Sequence, residues 1–148
     1  MNIKTKLELE ELINRTNSAF QTDSWKPIEY IYGYATFEEL ISLYQLAEIA
    51  YITPLVDGMN LVAKEYVASK TDNNGVLILS KTAGAAEELK EAIIVDPNNK
   101  DSMLNSLIDA LSMDEFEKKK RLDGMRKHIS SHTVIDWSDD FMSSLQKS

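Results

Sequence analysis

A chain of 148 residues with 16 Lys and Arg against 24 Asp and Glu carries a formal net charge of −8, and its 43% apolar, 27% charged composition is that of a globular chain able to bury a core. The acidic balance argues against general nucleic-acid or anionic-membrane binding, because both neutralise phosphates with a basic face. The absence of cysteine excludes disulfides, thiolate metal sites and cysteine nucleophiles. With no apolar targeting stretch at the start, and aliphatic runs such as Val76 to Leu79 far too short for a membrane span, the expectation is a cytoplasmic chain without a membrane partner.

Leu9, Leu12, Ile13, Thr16 and Phe20 recur near a 3.6-residue period and predict an amphipathic helix over residues 3–20. Ile28 to Tyr34, rich in aromatic and β-branched residues, reads as a strand on which Tyr30, Tyr32 and Tyr34 share one side, for core or domain packing rather than a sugar platform. Thr36 and Glu39 form a capping box ahead of Phe37, Leu40, Ile41 and Tyr44, which mark a helix. Next come a strand from Ile49 to Leu55, a helix from Gly58 to about Ser69, a turn-rich loop, a strand from Val76 to Ser80 and a short helix from Gly84 to Leu89. A fourth strand, Ala92 to Val95, precedes a helix marked by Met103, Leu104, Leu107, Ile108 and Leu111. Ser112 with Glu115 predicts the next helix start by capping-box logic. Val134, Trp137, Phe141 and Leu145 then place a helix over 133–148 that wants a docking surface. Short apolar strands each followed by a helix imply crossover connections and a parallel sheet covered on both faces. The fold class is therefore α/β, a Rossmann-like partial parallel sheet with flanking helices, and four strands with unpartnered end helices make the whole of 1–148 read as part of a domain.

The densest chemical signal is the segment Thr53 to Tyr66, where a strand ends and a helix begins. Ligands of parallel α/β sheets collect at the carboxyl ends of strands, and a helix N-terminus offers unpaired amides with a positive dipole end. Gly58 removes a side chain that would keep a diphosphate away, and Asp57 can accept hydrogen bonds from sugar hydroxyls. Glu65 lies eight residues on, ~12 Å along a helix axis, about the reach from a sugar across a diphosphate to a ribose. Taken alone, Asp57 would be a helix cap and Glu65 a solvated side chain; their joint placement describes a nucleotide-sugar site.

Asp57-Gly58-Met59-Asn60-Leu61-Val62-Ala63-Lys64-Glu65-Tyr66-Val67-Ala68, then Gly75 to Ser80 and Ala83 to Leu89, strongly resemble the trehalose-6-phosphate synthases, retaining glycosyltransferases of the two-domain GT-B architecture. The resemblance runs from Trp25 to Phe141 and implies the second half of a GT-B nucleotide-binding domain, where the donor UDP-glucose is held. It implies glucose hydroxyls on Asp57, the assigned catalytic residue, sugar-facing amides from Gly58, Met59 and Asn60, diphosphate-facing amides from Leu61 and Val62, and ribose hydroxyls on Glu65, with Leu40 lining the uracil pocket. It implies no cofactor and no obligatory metal. Glucose-6-phosphate would enter only with an N-terminal acceptor domain, and the phosphate-clamping Arg and Lys lie upstream of anything in this chain, so the chain alone is expected not to turn over. Val56 stands where the family usually has Arg, and Ala35 where some members have an aromatic residue. An alternative is a non-catalytic split or truncated glycosyltransferase module that self-associates or completes its sheet with another chain.

Other signals read as structural. His128 and His132, four apart, lack the Glu of a His-Glu-x-x-His site and read as surface histidines, His132 with a further reading as a helix C-terminal charge. Ser80 lacks the turn of a nucleophilic serine, and Lys118 to Arg121 reads as a solvated helix face. Gly84 to Ala86 could admit a ligand or serve close helix–sheet packing.

Overall fold

The computed structural model describes residues 3–131. The expected helix over 133–148 and His132 lie outside the described residues. Two compact units divide the chain, Met1–Ala35 and Thr36–Ser148.

In the first unit, helix α1 (Ile3–Phe20) buries Ile13, and i,i+4 pairs such as Lys6 with Glu10 line its solvated side. The Asn17 amide accepts from the Ile28 N–H and donates to the Ile28 carbonyl, both at 2.9 Å, which returns the following segment to the helix. The strand expected over Ile28–Tyr34 does not form. Its β-branched and aromatic residues suit a pleated surface, but the described part of this unit has no strand to pair with, and a lone strand leaves its backbone groups without a ladder. Tyr30 and Tyr32 stack with centroids 6.2 Å apart, Lys6 lies 4.2 Å from the Tyr32 ring centroid, and Tyr34 is fully exposed rather than packed.

The second unit opens with α2 (Phe37–Leu46), started by the expected box: the Thr36 hydroxyl accepts from the Glu39 N–H, and the Glu39 carboxylate accepts from the Thr36 N–H. Then follow β1 (Ile49–Ile52), α3 (Leu61–Ser69), β2 (Val76–Ser80), a 3-10 turn at Gly84–Glu87, β3 (Ile93–Val95), α4 (Lys100–Ser112) and α5 (Glu115–Ser131). The three strands are parallel in the order β1-β2-β3, with Ile49 beside Val76 and Ile78 beside Ile93. The central strand is buried at every position. Its side chains alternate between two cores: Leu77 and Leu79 join Ala63, Tyr66, Val67, Leu122 and Met125 from α3 and α5, while Val76 and Ile78 join Val95 and Ala110. This two-sided covering is the arrangement that a continuous apolar strand requires.

Among the described residues three strands rather than four therefore make the sheet. The strand expected to reach Leu55 stops at Ile52, and the helix expected from Gly58 begins at Leu61. The expected helix over Gly84 to Leu89 is a single 3-10 turn. At α5 the cap is Asp114, whose carboxylate accepts from the Glu117 N–H at 2.8 Å, while the Ser112 hydroxyl donates back into α4 at the Ile108 carbonyl. Mid-helix serines bond the preceding turn readily, which removes Ser112 from capping.

Candidate donor site

The segment between β1 and α3 is long enough to need bracing, and the chain after β2 supplies it. The Pro54 carbonyl accepts from the hydroxyls of Ser80 and Thr82, each at 2.8 Å. The Gly84 N–H donates to the Asp57 carbonyl and the Ala85 N–H to the Met59 carbonyl, both at 2.9 Å. A Cβ on Gly84 would run into the Gly58 carbonyl, so this glycine serves backbone approach between two loops. At Gly58 the opposite holds: a Cβ there would meet nothing, and the space beside it is open.

Within the loop Asp57 turns its carboxylate onto its own backbone. Oδ1 accepts from the N–H groups of Met59 (3.1 Å) and Asn60 (3.0 Å), and Oδ2 accepts from the Asn60 side-chain amide (2.8 Å). These bonds, that from Met59 first, hold the carboxyl below its ordinary value of 3.8. An ionised carboxylate offers about four acceptor positions, so the loop leaves about one for a ligand. Asn60, at φ 65°, is the actual cap of α3: its side-chain oxygen accepts from the Ala63 N–H at 3.0 Å. Asn is among the few side-chain-bearing residues that adopt the left-handed conformation readily.

Of the amides expected to face a sugar, those of Met59 and Asn60 are thus engaged by Asp57. The two expected to face a diphosphate, Leu61 and Val62, occupy the first two helical positions. Helix geometry gives them no acceptor within α3, and the cap uses only the third. Around them Leu55, Val56, Met59, Leu61 and Val62 are exposed, Val56 at 87%.

Glu65 lies one helical turn beyond Leu61, so only the last half of the Asp57-to-Glu65 span is helical. Its Oε2 accepts from the Tyr44 hydroxyl at 3.1 Å. Leu40 is half-buried on α2, one turn before Tyr44 and on the same face. Burial first, and the Glu65 carboxylate second, push the Tyr44 hydroxyl up to about 12. Tyr44 was legible only as an apolar-face residue of α2. Its i,i+4 spacing to Leu40 was the available signal.

The other candidates sort out as structure. Lys64, next to Glu65, is turned away and bonds both Glu88 oxygens at 2.8 Å. His128 is half-buried beside the same carboxylate, with Nε2 3.6 Å from Glu88 Oε2, rather than a free surface histidine. Among the described residues no group of three or more His, Cys, Asp or Glu side chains could hold a metal ion. Arg121 departs from the solvated face expected of Lys118 to Arg121: it is half-buried, bonds Glu117 at 2.8 Å and donates to the Glu91 carbonyl at 2.9 Å. Ser80 is wholly buried as a brace. Among the described residues no helix is long and apolar enough to cross a membrane.

A parallel α/β sheet with helices on both faces, and a braced loop feeding a helix N-terminus at the carboxyl end of its first strand, defines half of a nucleotide-binding domain of the GT-B class. Residues 2–147 match Glycosyltransferase family 20. The chain belongs to that family. It is 43% identical over 140 residues to a bifunctional trehalose-6-phosphate synthase/phosphatase of Thermoproteus tenax, covering 95% of this chain and 19% of that protein. It is also 43% identical over 135 residues to a glucosylglycerol-phosphate synthase of a Synechocystis strain, covering 91% of this chain and 27% of that protein. The trehalose-6-phosphate synthase of E. coli, solved bound with UDP-2-fluoro glucose, superposes with a TM-score of 0.86 at 36% identity over 97% of this chain and 32% of that one. The chain thus spans from just under a fifth to about a third of the length of these relatives.

Proposed function

We propose that this chain is the donor-binding portion of an α,α-trehalose-phosphate synthase, which transfers glucose from UDP-glucose to glucose-6-phosphate with retention of anomeric configuration in the cytoplasm. One observation carries the reading. Asp57 and Asn60 spend their oxygens on the amides of Met59, Asn60 and Ala63, and this organises an α3 N-terminus whose Leu61 and Val62 amides have no partner in their helix. Such a terminus stabilises a diphosphate, as bound substrate and as the leaving group whose charge grows during transfer. Gly58 leaves room beside it, Asp57 keeps an acceptor for a sugar hydroxyl, Glu65 takes the ribose hydroxyls, and Leu40 lines the base pocket.

Acceptor choice belongs to the acceptor-binding domain of the whole enzyme. Relatives named for trehalose phosphate and for glucosylglycerol phosphate are equally identical to this chain, which supports a shared donor half serving different acceptors. By itself the chain binds the donor weakly and does not turn over, because Lys64 is paired with Glu88 and a diphosphate leaving group needs further cationic stabilisation.

Calorimetric titration of the chain with UDP and UDP-glucose tests the reading, with Asp57→Ala and Glu65→Ala as controls. Saturable binding weakened at least tenfold in each control is expected. Affinity unchanged in both, or no binding by the folded chain, would overturn it. A second reading, a module that completes its sheet with another chain, is favoured by the exposure of Leu104, Ile108 and Leu111 along α4. Light scattering separates the two, since that module is a dimer or larger at micromolar concentration.

A further inference from the structure

Glu65 is an exposed carboxylate on the outer side of α3. Such a side chain has three rotatable bonds, and binding a ligand with it means first ordering it. Tyr44 supplies that order from another element. It stands in α2, whose start is tied by the Thr36 and Glu39 box, and its ring meets the Tyr66 ring edge-on, with centroids 6.4 Å apart and planes at 88°. Tyr66 is wholly buried, with its own hydroxyl against the carbonyls of Ala47 (3.2 Å) and Glu48 (3.4 Å). The Tyr44 ring is therefore held by a fixed neighbour, and its hydroxyl reaches Glu65 Oε2 at 3.1 Å.

The hydroxyl has one proton to donate and so uses one of about four acceptor positions on the carboxylate. Oε1 and the remaining position on Oε2 stay open, which suits two hydroxyls on adjacent carbons. We propose that Tyr44 is a positioning residue of this site: its hydroxyl holds the Glu65 carboxylate in the orientation that receives the vicinal diol of a ribonucleoside diphosphate. The inference rests on the donor reading above and adds a residue to it. With the hydroxyl lifted to about 12, Tyr44 is a donor at every pH near neutrality.

The test compares UDP with 2′,3′-dideoxyuridine diphosphate, each titrated into the chain and followed by NMR, for wild type, Tyr44→Phe, Glu65→Ala and the double variant. Tyr44→Phe keeps the ring and its contact with Tyr66. It is expected to weaken UDP binding roughly three- to tenfold, to leave the dideoxy ligand unaffected, and to add nothing once Glu65 is Ala. A purely structural Tyr44 would weaken both ligands alike, and that result overturns the proposal. So does UDP binding that survives Tyr44→Phe but is lost in Glu65→Ala, which leaves the donor reading standing. UDP binding indifferent to Glu65→Ala, or absent in the wild type, overturns the donor reading and this inference with it. A second measurement does not depend on the variant: UDP, and not the dideoxy ligand, should shift the Tyr44 ring resonances of the wild-type chain, and equal shifts would count against the assignment.

Discussion

At the C-terminal end of α3 the Lys70 N–H donates to the Tyr66 carbonyl, the Ser69 hydroxyl to the Glu65 carbonyl, the Lys70 ammonium to the Gln45 carbonyl at 2.7 Å and the Arg126 guanidinium to the Lys70 carbonyl. Lys70 is only 2% exposed. At the N-terminal end the Asp57 and Asn60 side chains satisfy three amides and stop, and exposed apolar side chains surround the two that remain. One nine-residue helix thus has a closed end and an open one. The contrast separates a packed end from an available one: burial and side-chain hydrogen bonds close the first end, while the second keeps donors available because its loop is organised from within.

The largest break in this contrast should come from Gly84→Val. Its side chain has no space beside the Gly58 carbonyl, so the two loops must part. We expect a loss of about 3 kcal/mol or more in thermal denaturation, together with loss of the UDP response. Near-native stability would mean that the open end does not depend on its brace.

Asn60→Ala comes next, with about 2 kcal/mol lost, roughly half from the cap and half from placing a Cβ-bearing residue without a local hydrogen bond at φ 65°. Asn60→Gly also loses the cap but tolerates that φ, and should cost only about 1 kcal/mol. Denaturant midpoints of the two variants separate cap from backbone strain; equal losses would place the whole effect in the cap.

Lys70→Met sharpens the comparison from the closed end. It removes the ammonium that donates to the Gln45 carbonyl in a part-buried bond, at a cost of about 1 kcal/mol, and should lower the melting temperature while leaving UDP affinity unchanged. If affinity fell in step, the two ends would be one cooperative unit.

The smallest effect is with pH. The Asp57 carboxyl is held below its ordinary value by the Met59 N–H first and the Asn60 groups after. A depressed folded-state value means that its contribution is complete above the unfolded-state value and lost as pH falls through the lower one. The order of the loop, read from the amide resonances of Met59 and Asn60 in the ligand-free chain, should therefore be flat from neutrality down to the ordinary 3.8 and decline only below it. A decline beginning near pH 6 would assign the loop's order to another group.

Much of the second unit was legible because its signals are local. The Thr36 and Glu39 box lies within one turn, the β2 run of Val76 to Ser80 announces burial on both faces, and the apolar period of α4 needs no partner to be read. The candidate site was read from the sequence as the Asp57-to-Glu65 segment with Leu40, and the structure places that segment between β1 and α3. What was misread depended on choices between competing partners. Ser112 and Asp114 both suit a cap, and only the path of α4 decides between them. Asp57 could have faced outward or inward, and the left-handed turn at Asn60 brings the amides to it. The segment Ile28 to Tyr34 has strand chemistry, yet strand formation belongs to a pair.

The sequence by itself determined the α/β class, the strand-to-helix position of the Asp57 to Glu65 segment and the family resemblance, since each is written in residues close along the chain. Only the tertiary structure decided that three strands make the sheet, that Gly84 serves the Gly58 backbone, and that Tyr44 meets Glu65 across 21 positions. The physical reason is that a capping residue or a periodic apolar face is fixed by neighbours within a turn. Ladder pairing and the final allotment of hydrogen bonds depend instead on groups that meet only once the chain has packed.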